Sequence, residues 1–304
     1  MEEKYTIEQV AETWLLYKKH IVKKSTYYKY KNDIKRYIIP YFGSKTLKEV
    51  EQEDLNLWID EFIQDNPIKS LQSIIVILKS ILRFAERKYD YRFKLDLITV
   101  PKRDTKEIEV ISKKDREKLE RYCKKDLNNF RNVGIIVCLY TGVRIGEICA
   151  LTWNDIDLKN EIIYINKTIQ RIYVDKKNTY ISIDAPKSKK SNRKIPISKK
   201  LLEILKEIKR EHSYTGKEYF LTGKEDKFIE PRNYQYAFHK VLKECGIERC
   251  KFHNLRHTFA TNCIEHGMDI KSLSVTLGHS NVDITLNKYV HSSLDNIKKQ
   301  LDKL

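Results

Sequence analysis

The stretch TGVRIGEICAL (141–151) is the most informative part of this chain of 304 residues. It places Arg144 two residues after Gly142, at the junction between two predicted helices. Glycine allows the backbone to turn tightly, and the N-terminus of the second helix adds a partial positive charge. A guanidinium group there can bind two oxygens of one phosphate. We therefore predict that Arg144 binds a phosphate and that Glu147 orients it, although an arginine at a helix start is more often an ordinary surface residue.

Two further segments carry side chains that suit the same target. HNLRHTFAT (253–261) places His253 and Arg256 three residues apart, and therefore on one face of a helix. APKSKKSNRKIP (185–196) is a lysine-rich turn that precedes a predicted strand. By itself such a turn is a solvated surface that contacts a nucleic-acid backbone at most.

A fourth segment, LGHSNVDITLNKYVH (277–291), contains a histidine and a tyrosine ten residues apart. His279 follows a glycine in a predicted turn, and Tyr289 lies in a short helical pattern. Tyrosine occurs 19 times in the chain, so Tyr289 alone would be interpreted as a packing or surface residue. What distinguishes Tyr289 is its distance from the LGHS sequence.

Together, these four segments resemble the active-site signature of the tyrosine recombinases, the family of phage integrases and Xer-type recombinases. The resemblance implies six catalytic residues: Arg144, Lys187, His253, Arg256, His279 and Tyr289. In this assignment the arginines hold the nonbridging phosphate oxygens, the tyrosine attacks phosphorus and the lysine protonates the leaving 5′-oxygen. His253 serves as acid or base, and His279 donates a hydrogen bond. The lysine is assigned from its place in a hairpin turn, and Lys189 and Lys190 remain alternatives.

This chemistry predicts no cofactor and no metal, because phosphoryl transfer depends mainly on positioning and on cationic stabilisation, which two guanidinium groups can supply. One crowded stretch contains Cys245, Cys250, His253 and His257, which are residue types that bind zinc. Zinc fingers separate two short ligand pairs by about a dozen residues, so this spacing favours ordinary buried cysteines.

Charge supports an anionic partner. The net charge is +17 and the pI is about 9.4. Residues 106–304 hold 39 Lys and Arg against 26 Asp and Glu, whereas residues 1–105 hold 20 against 16. Interspersed acids favour folded surfaces that follow a phosphate backbone, with a merely soluble basic protein as the alternative.

The remaining composition predicts a cytoplasmic protein. No run of about 18 apolar residues indicates a membrane span, and the acidic start lacks the features of a signal peptide. The six cysteines, scattered through helix-like segments, are expected to be reduced thiols.

Length and periodicity predict a mainly α fold with a small antiparallel β-sheet, divided into two domains. The resemblance implies that residues 1–100 form a helical, SAM-like, core-binding DNA-binding domain and that 113–304 form a mixed α/β catalytic domain with a tail helix from about 293, joined by a linker at 101–112. Helices are predicted from Thr6 and Gln9 onward, and at 25–38, 52–64, 71–88, 113–124, 127–141, 144–151, 198–211, 231–244, 254–265 and 269–276, with strands at 161–173, 179–184 and 193–197. Tyrosines and lysines at 23–31 could contact DNA or could simply form a basic helix face.

The resemblance implies a site-specific recombinase that joins DNA through a covalent 3′-phosphotyrosyl intermediate, most naturally the integrase of a mobile element. Its expected partners are double-stranded recombination sites and three further copies of itself, held together by tail exchange; a tail helix folded onto its own core is the alternative. An excisionase or a DNA-bending host protein is a further possible partner. Xer-like dimer resolution and a type IB topoisomerase are the enzymatic alternatives, and a DNA-binding regulator without chemistry is the alternative from another class.

Overall fold

The computed structural model describes residues 5–65, 68–95, 98, 109–184, 192–279, 281–289 and 302. Their Cα positions form two compact units, Met1–Lys106 with Arg171–Tyr180, and Glu107–Gln170 with Ile181–Leu304. Each unit has its own hydrophobic core. Helices dominate and the strands are few and short, so the predicted fold class is confirmed. Part of the predicted linker, residues 101–108, and all of the predicted tail helix except Asp302 lie outside the described residues.

The helices of the first unit are α1 (Ile7–Lys19), α2 (Lys24–Asp33), α3 (Ile39–Phe42), α4 (Gln52–Asp65) and α5 (Ile68–Tyr89). The predicted capping box of α1 is confirmed, because Thr6 Oγ1 accepts from the Gln9 amide while Gln9 Oε1 accepts from the Thr6 amide. The buried residues of α5 recur at helical spacing and form the centre of this core, namely Leu71, Ile74, Ile75, Leu78, Ile81, Leu82 and Ala85.

The second predicted helix, given as 25–38 and expected to end near Pro40 and Gly43, extends to Phe42. A π-helical turn, Ile34–Ile38, follows α2 and leads directly into α3, which contains Pro40 in its first turn. Proline needs no amide hydrogen there, so it starts a new helical turn where the prediction had it end the helix. On α2 no residue is buried, yet Tyr30 packs on Trp14 with ring centroids 5.3 Å apart.

The helices of the second unit are α6 (Lys113–Lys124), α7 (Phe130–Thr141), α8 (Ile145–Ala150), α9 (Lys199–Glu211), α10 (Pro231–Glu244), α11 (His253–Glu265), α12 (Ile270–Leu277) and α13 (Asp283–Tyr289). Helix α7 is buried along nearly its whole length and forms the middle of the core. It begins at Phe130 where 127 was predicted, because Asp126 accepts the amide of Asn128 and holds this segment in a turn.

The strands are β1 (Ile156–Asp157), β2 (Ile162–Ile165), β3 (Thr168–Tyr173), β4 (Thr179–Asp184) and β5 (Arg193–Pro196). They form a three-stranded sheet in the order β1-β2-β5, with antiparallel pairing, and a two-stranded sheet of β3 and β4. The single strand predicted at 161–173 was wrong. It breaks at Asn166 and Lys167, because both side chains bind the carboxylate of Asp155, at 2.8 and 2.7 Å.

All six cysteines are free thiols, as predicted, and three of them are buried. Burial is the main cause of the raised pKa of the Cys250 thiol, about 11, and of the Cys263 thiol, also about 11. Within the part of the chain that the structure describes, no helix is both long enough and apolar enough to cross a bilayer.

Candidate active site

Arg144 lies where α7 ends and α8 begins. Helix α7 ends at Gly142, whose φ of +64° is a left-handed conformation that favours glycine. A Cβ at this position would lie 2.5 Å from the Phe259 ring and 2.8 Å from the Leu277 side chain, so glycine is required sterically as well. The tight turn brings Arg144 to the N-cap of α8, where 36% of its side chain remains exposed.

Glu147, on the first turn of α8, ties Arg144 to a second arginine. Its Oε2 accepts the amide of Arg144 at 2.8 Å, and its Oε1 accepts Arg144 Nη1, also at 2.8 Å. From β5, Arg193 donates Nη2 to Oε2 at 2.9 Å and Nη1 to Oε1 at 3.1 Å. Burial alone would raise the pKa of Glu147, but hydrogen bonding and charge from Arg193 and Arg144 outweigh it and lower that pKa to about 2.

Arg256, on α11, is 2% exposed and binds backbone from two directions. Its Nη1 donates to the carbonyl of Gly142 at 2.9 Å, and its Nη2 donates to the carbonyl of Leu277 at 2.7 Å. It therefore fastens the turn that carries Arg144 to the end of α12. The two predicted phosphate ligands differ in access, since Arg144 reaches solvent whereas Arg256 is enclosed.

The C-terminal turn of α12 gathers three arginines on three consecutive carbonyl groups. Arg193 Nε donates to Thr276 at 2.6 Å, Arg256 to Leu277, and Arg144 Nη2 to Gly278 at 3.2 Å. Carbonyls at a helix C-terminus carry partial negative charge and lack partners within the helix, so they attract cations. Glu147 opposes three guanidinium groups here, which leaves the four side chains with a net positive charge.

His279 follows this turn directly. Helix α12 ends at Gly278, with φ of +64°, and the amide of His279 donates back to the carbonyl of Ser274. The ring is 9% exposed, and its Nδ1 lies 2.8 Å from Oγ1 of the buried Thr285 on α13. A hydrogen bond to one ring nitrogen fixes the orientation of the other, Nε2.

Three predicted residues are placed less fully. His253 is exposed at the start of α11, and its ring meets that of His257 edge-on, with centroids 4.5 Å apart. Tyr289 is the last residue of α13, four residues after the Thr285 that contacts His279. Lys187 lies outside the described residues, as do Lys189 and Lys190. The structure thus brings Arg144, Arg256 and His279 together, and the chemical roles of all six residues stay predictions.

Comparison with known families decides the relationship. The family model described as "Phage integrase family" matches residues 109–295, which include every candidate site residue. The chain belongs to the phage integrase family. A second family model, "Phage integrase, N-terminal SAM-like domain", matches residues 6–63.

Curated relatives of this integrase-family chain include a recombinase and a transposase. It is 33% identical over 202 residues to a tyrosine recombinase XerC-like protein of Caldanaerobacter subterraneus subsp. tengcongensis. That alignment covers 61% of this chain and 51% of the relative. It is 29% identical over 233 residues to the transposase from transposon Tn916 of Enterococcus faecalis. That alignment covers 71% of this chain and 55% of the relative. The chain thus spans about half the length of these relatives.

Solved structures show the same fold along most of the chain. The Tn1549 transposon integrase in complex with transposon right end DNA matches with a TM-score of 0.77 at 23% identity, covering 99% of both chains. A lambda integrase tetramer bound to a Holliday junction matches with a TM-score of 0.70 at 15% identity, covering 95% of this chain and 80% of that one. At these identities the similarity establishes the fold of the integrase-family chain.

Two residues of this site were missed by sequence reasoning. Arg193 stands in the quoted segment NRKIP, but its partner Glu147 is 46 residues away, and nothing local marks the pair. Lys167 sits between β2 and β3, ion-paired with Asp155 and 30% exposed. Its neighbour Thr168 packs against the first turn of α8, since a Cβ on Gly146 would lie 2.5 Å from Thr168 Oγ1. The predicted strand at 161–173 contained Lys167, so no local signal marked it as a residue in a turn.

Among the residues that the structure describes, no group of three or more His, Cys, Asp or Glu side chains is arranged to hold a metal ion. The stretch with Cys245, Cys250, His253 and His257 is among these described residues, and it does not form such a group. Instead, His239 Nε2 lies 3.1 Å from the Cys250 carbonyl.

Gly142→Ala should destabilise this integrase-family chain strongly. The left-handed backbone costs an alanine about 1–2 kcal/mol, and the contacts with Phe259 and Leu277 add about 1–3 kcal/mol of overpacking. Gly246→Ala is the matched control, because Gly246 has nearly the same φ, +62°, with open space where a Cβ would lie. Urea unfolding of both variants measures the difference. Equal losses in the two variants would show that packing around Gly142 contributes nothing.

Proposed function

We propose that this chain is a site-specific DNA recombinase that cuts and rejoins strands through a covalent 3′-phosphotyrosyl intermediate, and that it integrates or excises a mobile element. The observation that supports this most is the convergence of Arg144 and Arg256 on the neighbouring carbonyls of Gly278 and Leu277, directly before His279. Side chains from three separate segments of sequence meet at one turn. Membership of the phage integrase family supports the same chemistry.

The charge of this cluster suits phosphoryl transfer. In that reaction negative charge accumulates on the nonbridging oxygens, and fixed cations that are already oriented stabilise it without reorganising. Arg144 is cationic, partly exposed and held at two sites, by Glu147 and by Gly278. It is therefore the group that we propose meets the phosphate first, with Arg256 behind it.

The remaining roles follow the assignment made from sequence. Tyr289 would attack phosphorus, and a phenol, whose pKa is ordinarily about 10, needs a cationic pocket or a proton acceptor to do so at neutral pH. His253 would be that acceptor and later the donor. His279, with Nδ1 on Thr285, would donate from Nε2 to a nonbridging oxygen. Lys187 would protonate the leaving 5′-oxygen.

The finer biological assignments belong to the same proposal. The partners would be double-stranded recombination sites, with four copies assembled on DNA through tail segments beyond residue 292, and with an excisionase or a DNA-bending host protein as accessory. The location would be cytoplasmic. The lambda integrase tetramer bound to a Holliday junction has the same fold and supports a four-copy assembly. The sequence GHSNVDITLNKYVH (278–291) resembles that of mobile-element integrases, and this favours a mobile-element role over Xer-like dimer resolution.

A nicked suicide duplex tests the proposed activity. Cleavage near the nick releases a short fragment that diffuses away, so the covalent protein–DNA adduct accumulates and is seen by denaturing electrophoresis. We expect an adduct that forms in excess EDTA, with the DNA attached through its 3′ end and a free 5′ hydroxyl on the fragment. Exchange into a Holliday junction separates recombination from topoisomerase activity, which only relaxes supercoils. Binding without any adduct would identify the rival, a regulator that has lost its chemistry.

The general acid can be identified with a sulfur substrate. A 5′-bridging phosphorothiolate has a thiolate leaving group, and since thiols have a pKa of about 8.5 it departs without a proton donor. We expect Lys187→Ala to cleave normal DNA at least about 100-fold more slowly, within the usual range for general acid catalysis, and to recover on the sulfur substrate. Lys189→Ala and Lys190→Ala, the two alternative assignments, are measured in the same way, and the slow variant that recovers on the sulfur substrate identifies the acid. Recovery of Lys167→Ala instead would transfer the role to Lys167, which packs beside α8.

A further inference from the structure

Arg193 is a buried arginine at the first position of β5, with 3% of its side chain exposed. Pairing with β2 fixes its position, because Arg193 lies opposite Ile165 in the antiparallel register. From there its guanidinium group reaches two targets. Both Nη atoms bind the two oxygens of Glu147, and Nε binds the carbonyl of Thr276. A planar guanidinium matches a carboxylate in this two-pronged way, which a lysine cannot reproduce.

Glu147 is shared unequally between two arginines. Arg193 contacts both carboxylate oxygens, whereas the side chain of Arg144 contacts only Oε1. A carboxylate that is already engaged by one guanidinium group neutralises a second one incompletely. Glu147 therefore compensates the positive charge of Arg144 only in part, and Arg144 Nη2 binds the carbonyl of Gly278 at the end of α12.

We propose that Arg193 is a positioning residue for Arg144, acting through Glu147. By occupying Glu147, Arg193 keeps Arg144 from forming a closed one-to-one ion pair, so that Arg144 remains available to a DNA phosphate. This inference rests on the proposed function only in naming the phosphate as the target. The arrangement itself consists of three hydrogen bonds among three buried or half-buried side chains and a fourth from Arg144 to the carbonyl of Gly278.

Loss of Arg193 has a definite structural consequence. Glu147 is 3% exposed, and a buried carboxylate that loses its main partner must find another. Arg144 is the cation already in contact with it. Its guanidinium would rotate to bind both oxygens, leave Gly278 and lose its reach toward solvent. The low pKa of Glu147, about 2, is consistent with two cations holding it ionised.

A double-mutant cycle tests this coupling. The rate constant for adduct formation is measured in single turnover with Arg193→Gln, Glu147→Gln and the combined variant. We expect Arg193→Gln to slow cleavage at least about tenfold, as expected for displacement of a catalytic group, with little change in DNA affinity. In the Glu147→Gln background the same substitution should have less than about a threefold effect, because no carboxylate remains to capture Arg144. Arg210→Gln, at an exposed position on α9, is the matched control.

The opposite result has a clear meaning. If Arg193 only supports the fold, for instance through Thr276, its loss slows cleavage equally in both backgrounds, and the proposal is overturned. Arg193→Lys repeats the cycle should Arg193→Gln fail to fold, as judged by circular dichroism. The ammonium group of the lysine can bind only one oxygen of Glu147. We therefore expect a smaller loss of cleavage rate, again only in the protein that retains Glu147.

A second readout does not depend on catalysis. Guanidinium NMR of the labelled protein reports how freely the Nη groups of Arg144 rotate. Capture by Glu147 should slow that rotation in Arg193→Gln and leave it unchanged in the combined variant. If the native chain forms no adduct, the proposed function fails while this measurement still decides the role of Arg193. Unchanged rotation in Arg193→Gln would overturn the positioning role whatever the activity.

Discussion

Tyr289→Phe is expected to abolish covalent trapping on the suicide duplex while leaving DNA binding unchanged. The substitution removes one oxygen from a residue at the end of α13 and keeps the ring, so the helix should form as before. Without the phenolic oxygen nothing can form the phosphotyrosyl bond, and neighbouring groups cannot substitute for a missing nucleophile. The adduct should fall below detection on denaturing gels.

Tyr173→Phe is the matched control, because Tyr173 is an exposed tyrosine on β3, outside the predicted site. It should trap DNA at the native rate. Equal trapping by Tyr289→Phe and the native protein would refute the assignment of the nucleophile. A phosphotyrosyl peptide that maps to another tyrosine would name the correct residue.

Arg144→Gln is expected to lower the single-turnover cleavage rate by about 10³-fold, the scale found when a cation or donor that stabilises transition-state charge is removed. Stability should change little, since 36% of the side chain is exposed and Glu147 keeps both bonds to Arg193. DNA affinity should fall only modestly, because many phosphate contacts share it. Rapid-quench kinetics and urea unfolding measure the two effects separately.

Arg256→Gln provides the contrast. This arginine is enclosed and fastens two carbonyls, so its loss leaves buried acceptors without their charged donors and costs about 3 kcal/mol or more of unfolding free energy. Both variants should lose cleavage, but only Arg256→Gln should lose stability as well. Similar stability losses in the two would contradict the structural distinction between the exposed and the enclosed arginine.

The sequence located those site residues whose environment is local. Arg144 could be predicted because a glycine and a helix start adjoin it, and Arg256 because helical spacing puts it on one face with His253, whose place in the site stays a prediction. The start of α1 followed from the capping box of Thr6 and Gln9, and at the start of α6 Ser112 Oγ accepts the amide of Asp115, also only three residues away. Local rules of this kind need no knowledge of tertiary structure.

Non-local contacts explain what was missed. Arg193 depends on the pairing of β5 with β2, and strand register is not encoded in a four-residue strand. The break between β2 and β3 depends on Asp155, more than ten residues upstream, which captures Asn166 and Lys167. The π-helical turn before Pro40 is likewise a departure from regular hydrogen bonding that periodicity does not reveal. Each case is one in which tertiary contacts override the local pattern.

The pairing of β2 with β5 separates two kinds of sequence change. Ile165 and Arg193 face each other in the register, although 27 residues stand between them in the chain. The whole excursion that contains β3 and β4 therefore leaves and rejoins the sheet at one fixed pair. Insertions or deletions at the β3–β4 turn, residues 174–178, would therefore leave the arginines at the end of α12 undisturbed. Such modularity offers protein engineers, and evolution, a turn that can be lengthened or exchanged without altering the arginines, Lys167 or the segment that carries the predicted Lys187.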